Sequence, residues 1–271
     1  MPSSRSGGPL PFLDHLAADS ARFRTVLATA PADARVPTCP DWDADDLLWH
    51  LGEVQWFWGE IAERRLTDPA DLDAMNEARE ERPSDRAGLL AFFDRSSERL
   101  HRVLGDLSPD TALWMWADDK TAGYIRRRQA HEAMIHRLDA ELTVGDRTPL
   151  ACRLAADGID EALRIMRGHE PDPDLTHVPV SAPVTIATVD AMHAWTVTPV
   201  RVTGSWNGEE VDVLRFLVGD GPDPAATAEI SGSAADIDCW LWNRPAEGEI
   251  VRDGDAAALA SVDAVLSDSI D

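Results

Sequence analysis

A helical bundle followed by a small α+β domain is the fold class this sequence predicts, and three observations carry the prediction. Apolar residues recur at intervals of three and four through roughly the first 170 positions, the spacing of one helix face. Beyond Pro171 the residues turn β-branched, and several alternate with polar neighbours, as half-buried strands do. Prolines and glycines punctuate the chain where one periodic run gives way to the next.

The elements follow in order. A first helix over 10–27 carries Leu10, Phe12, Leu13, Leu16, Phe23 and Leu27, and Pro31, Pro37 and Pro40 then break the chain. A second begins near Asp41 and Asp43, acids suited to a helix N-terminus, with Leu47, Leu51, Val54, Trp58 and Ile61 on its apolar side. Ser84 is a candidate cap for a third, whose stripe is Leu89, Leu90, Phe93, Leu100 and Leu104. A fourth spans about 121–142 and ends at Gly145; a fifth spans about 150–166 and is closed by Gly168 and Pro171. These make an up-and-down bundle over 1–172. The α+β domain, 173–271, has strands near 178–180, 184–189, 193–197, 200–206, 211–218 and 226–231. Asn207-Gly208 is a two-residue hairpin signal, and helices are expected over 233–244 and 256–266.

Composition narrows the function. The 271 residues carry a net charge of −24, which repels phosphate backbones and anionic lipid; neither nucleic acid nor membrane is an expected partner. No apolar run is long enough to span a bilayer, and the opening residues lack the apolar segment of a secretory signal. Cys39, Cys152 and Cys239 are odd in number and far apart, so they read as isolated thiols in a reducing cytoplasm.

The segment from Arg126 to Asp139 holds the sharpest chemical pattern. His131 and His136 are five apart, roughly 140° around a helix, and cannot easily share one metal. Glu132 and His136 are four apart and stack on one face, giving two of the three protein ligands a catalytic zinc needs. Among the eight histidines, His50, between Trp49 and Leu51 in the most hydrophobic helix, is the best-placed third. The same residues also admit a structural reading, with His50 a hydrogen-bonded core histidine and Glu132 paired to Arg128 one turn away. Arg126, Arg127 and Arg128 are expected on a solvated face, the tryptophans in the core. Cys39 lies near a helix start but has no evident activating partner.

Several of these segments resemble one family. Val36-Pro-Thr-Cys-Pro-Asp-Trp and Leu47-Leu-Trp-His-Leu-Gly-Glu-Val-Gln-Trp-Phe-Trp are similar to the N-terminal domain of the mycothiol-dependent maleylpyruvate isomerases. Arg127-Arg-Gln-Ala-His-Glu-Ala-Met-Ile-His-Arg-Leu-Asp-Ala-Glu resembles its second motif and Ala156-Asp-Gly-Ile-Asp-Glu a third. Gly232-Ser-Ala-Ala-Asp-Ile-Asp-Cys-Trp-Leu-Trp-Asn-Arg is similar to the signature of the family's C-terminal domain.

The resemblance implies a DinB-like four-helix bundle with a divalent metal, usually zinc, on His50, Glu132 and His136. It also implies mycothiol as the thiol cofactor and a catalytic role for Arg244, which would hold the acceptor's carboxylate or the charge that develops on it. In the isomerisation so implied, the thiol adds to the conjugated double bond of maleylpyruvate, the bond rotates, and elimination gives fumarylpyruvate. The substrate expected is a small electrophile. A mycothiol S-transferase acting on another substrate, or a non-catalytic metal-binding module, are the alternatives, because fold and metal set do not choose the reaction.

Overall fold

Three of the four long helices of the N-terminal part start where the sequence supplies a side-chain cap. The computed structural model describes residues 9–168, 174–206 and 208–267, and the chain divides into two compact units, Met1–Thr148 and Pro149–Asp271. In the first, α1 (Phe12–Thr29), α2 (Ala44–Arg64), α4 (Arg86–Asp106) and α5 (Ala122–Val144) form the bundle, with the short α3 (Leu72–Glu77) between α2 and α4. The Asp43 side chain accepts from the amides of Asp45 and Asp46, and Asp46 reaches back to the Asp43 amide, a reciprocal capping box at the start of α2. Asp85, one residue after the expected Ser84, caps α4 by accepting from the Gly88 amide at 2.7 Å. Thr121 caps α5, and Gly145, at φ 70°, ends it in the left-handed conformation that glycine adopts without strain.

Helix α2 packs chiefly on α4, and α1 on α5. Phe23, Leu27, Leu47, Leu48, Leu51, Leu89, Phe93 and Ala140 share one core, each large apolar side chain contributing about 1.5–3 kcal/mol by leaving water. Val54 and Leu90, expected in the stripes, are only half-buried. The α2–α4 approach needs Gly52, where an added Cβ would sit 3.1 Å from the Phe92 ring. Helix α5 is buried on nearly every face, which is why its apolar periodicity is faint. Its arginines depart from the solvated face expected of them. Arg126 donates to the carbonyls of Leu104 and Leu107 at the C-terminus of α4, satisfying acceptors a helix end leaves open, and Arg128 is buried.

The second unit begins with α6 (Cys152–Glu161), which widens over Ala162–Met166 so that the Arg167 amide bonds the Ala162 carbonyl five residues back. The expected boundary at 172/173 thus differs from the division observed after Thr148: α6 packs on α7 (Ala234–Leu241), and the helical periodicity of 152–166 could not say which neighbour it would choose. Pro171 lies outside the described residues.

Six strands form one mixed sheet: β1 (Leu175–Pro179), β2 (Val184–Thr188), β3 (Ala194–Trp206), β4 (Glu209–Asp220), β5 (Ala228–Gly232) and β6 (Val251–Gly254). β4 runs antiparallel along one edge of β3, while β2 and β1 share the other edge in succession. Pro199, which has no N–H to donate, falls between the residues that pair with β2 and those that pair with β1. β2 pairs with β5 in parallel, and β5 with β6 antiparallel. The β3–β4 hairpin turns over two residues, with Gly208 at φ 84°; Asn207 lies outside the described residues. Ser233 caps α7 and Asp255 caps α8 (Ala256–Leu266). Among the described residues no helix is long and apolar enough to cross a membrane.

Candidate metal centre

Two helices of the first unit bring three donor groups together. His50 stands on α2, seven residues past its Asp43 cap, and Glu132 and His136 stand one turn apart on α5. Nε2 of His136 lies 3.2 Å from Nε2 of His50 and 3.2 Å from Oε1 of Glu132. Nε2 of His50 and Oε1 of Glu132 are 3.6 Å apart. A tetrahedral zinc with bonds near 2.0–2.1 Å requires donor–donor edges of roughly 3.3–3.4 Å. The three edges bracket that value. Two imidazole nitrogens and one carboxylate oxygen are also a donor set that zinc accepts. The trio is the one such cluster of potential metal ligands among the described residues.

The surroundings fix each donor. Arg128, buried on the preceding turn of α5, takes the other oxygen of Glu132, Oε2. Burial pushes the Glu132 carboxyl upward, but the Arg128 charge and the two histidine hydrogen bonds outweigh it and hold the group well below the usual carboxylate range. On the far side of His136, Nδ1 lies 3.0 Å from Oδ2 of Asp139, and Oδ1 of Asp139 accepts from the Thr38 hydroxyl at 2.6 Å. Burial lowers the His136 pKa, yet hydrogen bonds and charge from Asp139 and Glu132 raise it on balance to about 9. Trp42, at the end of the α1–α2 connection, packs its ring 4.6 Å from His50 and 6.4 Å from His136. The His50 side chain is 32% exposed, against 17% for Glu132 and 7% for His136, so solvent reaches the centre from the His50 side.

At Glu132 one oxygen pairs with Arg128 while the other faces the two histidines. His131 is fully buried, with its ring edge-on to Phe12 of α1. Sequence reasoning missed Thr38, Trp42 and Asp139. Only Asp139 left a usable signal, its i+3 spacing from His136.

The family described as the mycothiol maleylpyruvate isomerase N-terminal domain matches residues 13–141. The helical unit belongs to that family. All three donors fall within the matched span. Two solved structures resemble the whole chain: a mycothiol-dependent maleylpyruvate isomerase, with TM-score 0.54, and a single-residue mutant of it, with TM-score 0.55. Each shares 14% identity over 91% of this chain and 95% of the solved one, a likeness of fold. No curated protein matches the sequence.

Arg244, in the second unit, is buried just past α7 and donates to the Trp242 carbonyl at 2.7 Å. Cys39 and Cys239 are buried, and neither is in a disulfide. Cys152 is half-buried, and burial together with the Asp190 carboxylate that accepts its hydrogen bond pushes its pKa up, the opposite of an activated nucleophile.

Proposed function

We propose that the chain binds one divalent metal, zinc, through His50, Glu132 and His136, and uses mycothiol in a maleylpyruvate isomerase-like cis–trans isomerisation or thiol addition to a small electrophile. The observation that carries this reading is the triangle of two Nε2 atoms and Oε1 with edges of 3.2–3.6 Å. A bound zinc would supply an acid that holds a thiol as its thiolate and leaves a coordination position beyond the protein donors. His50 and His136 would each present a nitrogen lone pair, and Arg128 would keep Glu132 turned so that a single oxygen faces the ion. The role assigned to Arg244, holding the acceptor's carboxylate, belongs to the same proposal. None of the three cysteines shares the cluster, so the reactive thiol comes from outside the chain.

The test starts with elemental analysis of protein purified without chelator. One zinc per chain is expected, lost in His50→Ala. Stoichiometric zinc in that variant would overturn the ligand set. Turnover of maleylpyruvate should require added mycothiol and persist in a variant with Cys39, Cys152 and Cys239 all changed to serine. If that variant folds and keeps its zinc but loses mycothiol-dependent turnover, a protein thiol carries the chemistry and the borrowed-thiol reading fails.

A further inference from the structure

An imidazole can ligate a metal through Nε2 only if its proton sits on Nδ1. His136 has its Nδ1 against Oδ2 of Asp139 at 3.0 Å. A carboxylate there accepts and does not donate, so it selects the Nδ1–H form and aims the ring. Asp139 is itself fully buried, and a buried carboxylate needs hydrogen bonds to be held in place. Its second oxygen receives one from Thr38, 101 residues earlier, at 2.6 Å.

Thr38 lies in the α1–α2 connection, which is folded by backbone bonds from Cys39 to Val36, from Trp42 to Cys39 and from Val36 to Trp42. The same connection sets the Trp42 ring beside His50. One loop therefore reaches both histidines, one of them through Asp139.

We propose that Asp139, locked by the Thr38 hydroxyl, is the positioning residue that sets the tautomer and ring orientation of His136. This rests on the metal reading above and deepens it. Carboxylates behind ligating histidines typically change metal affinity by about 10- to 100-fold when removed.

The experiment is zinc competition against a chromophoric chelator, with circular dichroism to confirm folding. Asp139→Asn should bind zinc about 10- to 100-fold more weakly than the unchanged chain. Thr38→Val should move affinity in the same direction by less, and Thr38→Ser, which keeps the hydroxyl, should restore it. A folded Asp139→Asn with unchanged affinity overturns the proposal. If that variant does not fold, an unchanged affinity in Thr38→Val overturns it. Should the unchanged chain bind no zinc, the metal reading fails and the relay is judged separately by imidazole 15N spectra of the metal-free protein, taken in alkaline solution where the His136 ring is neutral. A neutral His136 protonated on Nδ1 supports the relay, and one protonated on Nε2 refutes it.

Discussion

On α5, Arg128 and Glu132 stand one turn apart and form an ion pair that uses one carboxylate oxygen and leaves the other to His50 and His136. The arginine does the work of a second ligand for the carboxylate. It keeps Glu132 ionised in a largely desolvated place, and it holds Oε2 in the ion pair. A zinc at the trio would therefore meet a monodentate glutamate.

Replacing Arg128 with methionine keeps the stem's bulk and removes the charge. Breaking a buried pair by deleting one member costs about 3–5 kcal/mol. Glu132 retains 17% exposure, so the loss in the metal-free protein should fall at the low end, about 3 kcal/mol. Urea unfolding with and without zinc reads it: the metal, by binding only the folded state, should restore much of the loss. Equal metal-free stability in the variant and the unchanged chain would show that the guanidinium does not hold Glu132.

Zinc binding should release protons. In the metal-free protein His136 titrates at about 9, above its ordinary 6.5, so near neutral pH its ring is an imidazolium that must be deprotonated to ligate. Affinity should rise about tenfold per pH unit from neutrality toward pH 9, the slope of one displaced proton. The metal-free fold behaves oppositely. Stabilisation from the raised pKa is fully present below 6.5 and fades as pH climbs through about 9. Calorimetry in two buffers of different ionisation enthalpy measures the release directly, and identical heats would contradict it.

The legible part of the molecule was the part written in short-range spacing. Glu132 and His136 share a face because they are four apart, and Asp43, Thr121 and Gly145 end their helices by local hydrogen bonds. His50 stood out by its place in the most hydrophobic helix and again by the family resemblance, although nothing local says which helix crosses α5. Thr38 and Asp139 meet across 101 residues, a separation no periodicity records. The arginines of α5 misled for a related reason. Three adjacent bases look solvated, but on this central helix Arg126 and Arg128 find acceptors within the fold. Strand β6 and helix α3 escaped notice because β6 is exposed throughout and α3 buries only Met75.

Arg167 tests the second unit. It is among the largest fully buried side chains, and it donates to the carbonyls of Val265 and Leu241, at the C-terminal ends of α8 and α7. Methionine at this position fills the stem's volume but strips both acceptors of their donor. Each orphaned buried acceptor costs about 1–3 kcal/mol, so the expected loss for the two is about 2–6 kcal/mol. Zinc content should not change, because every proposed ligand lies within the first unit. Loss of zinc from a folded Arg167→Met would contradict that separation.

Acid should loosen the bundle at Glu141. Its fully buried carboxylate accepts from Arg22 at 2.7 Å, from Arg137 at 3.0 Å and from both the amide and hydroxyl of Thr148. Burial alone would raise its pKa, but the Arg22 and Thr148 hydrogen bonds and the Arg137 charge outweigh that and depress it. Because the folded-state value lies below the unfolded one, the stabilisation is complete above the unfolded pKa. It is lost as pH falls through the folded value. Neighbouring Asp19 works the other way. Burial leaves its pKa raised despite Arg137 at 2.7 Å, so protonating Asp19 relieves some cost as acid is added. Glu141→Gln separates the two effects. At pH 7 it should lower stability by about 3 kcal/mol or more, as loss of one member of a buried pair does. It should also remove the part of the acid-induced decline that lies below the usual carboxylate range. Thermal melts of both proteins from pH 7 to pH 3 measure this, and parallel curves across that window would show that Glu141 does not carry the acid sensitivity.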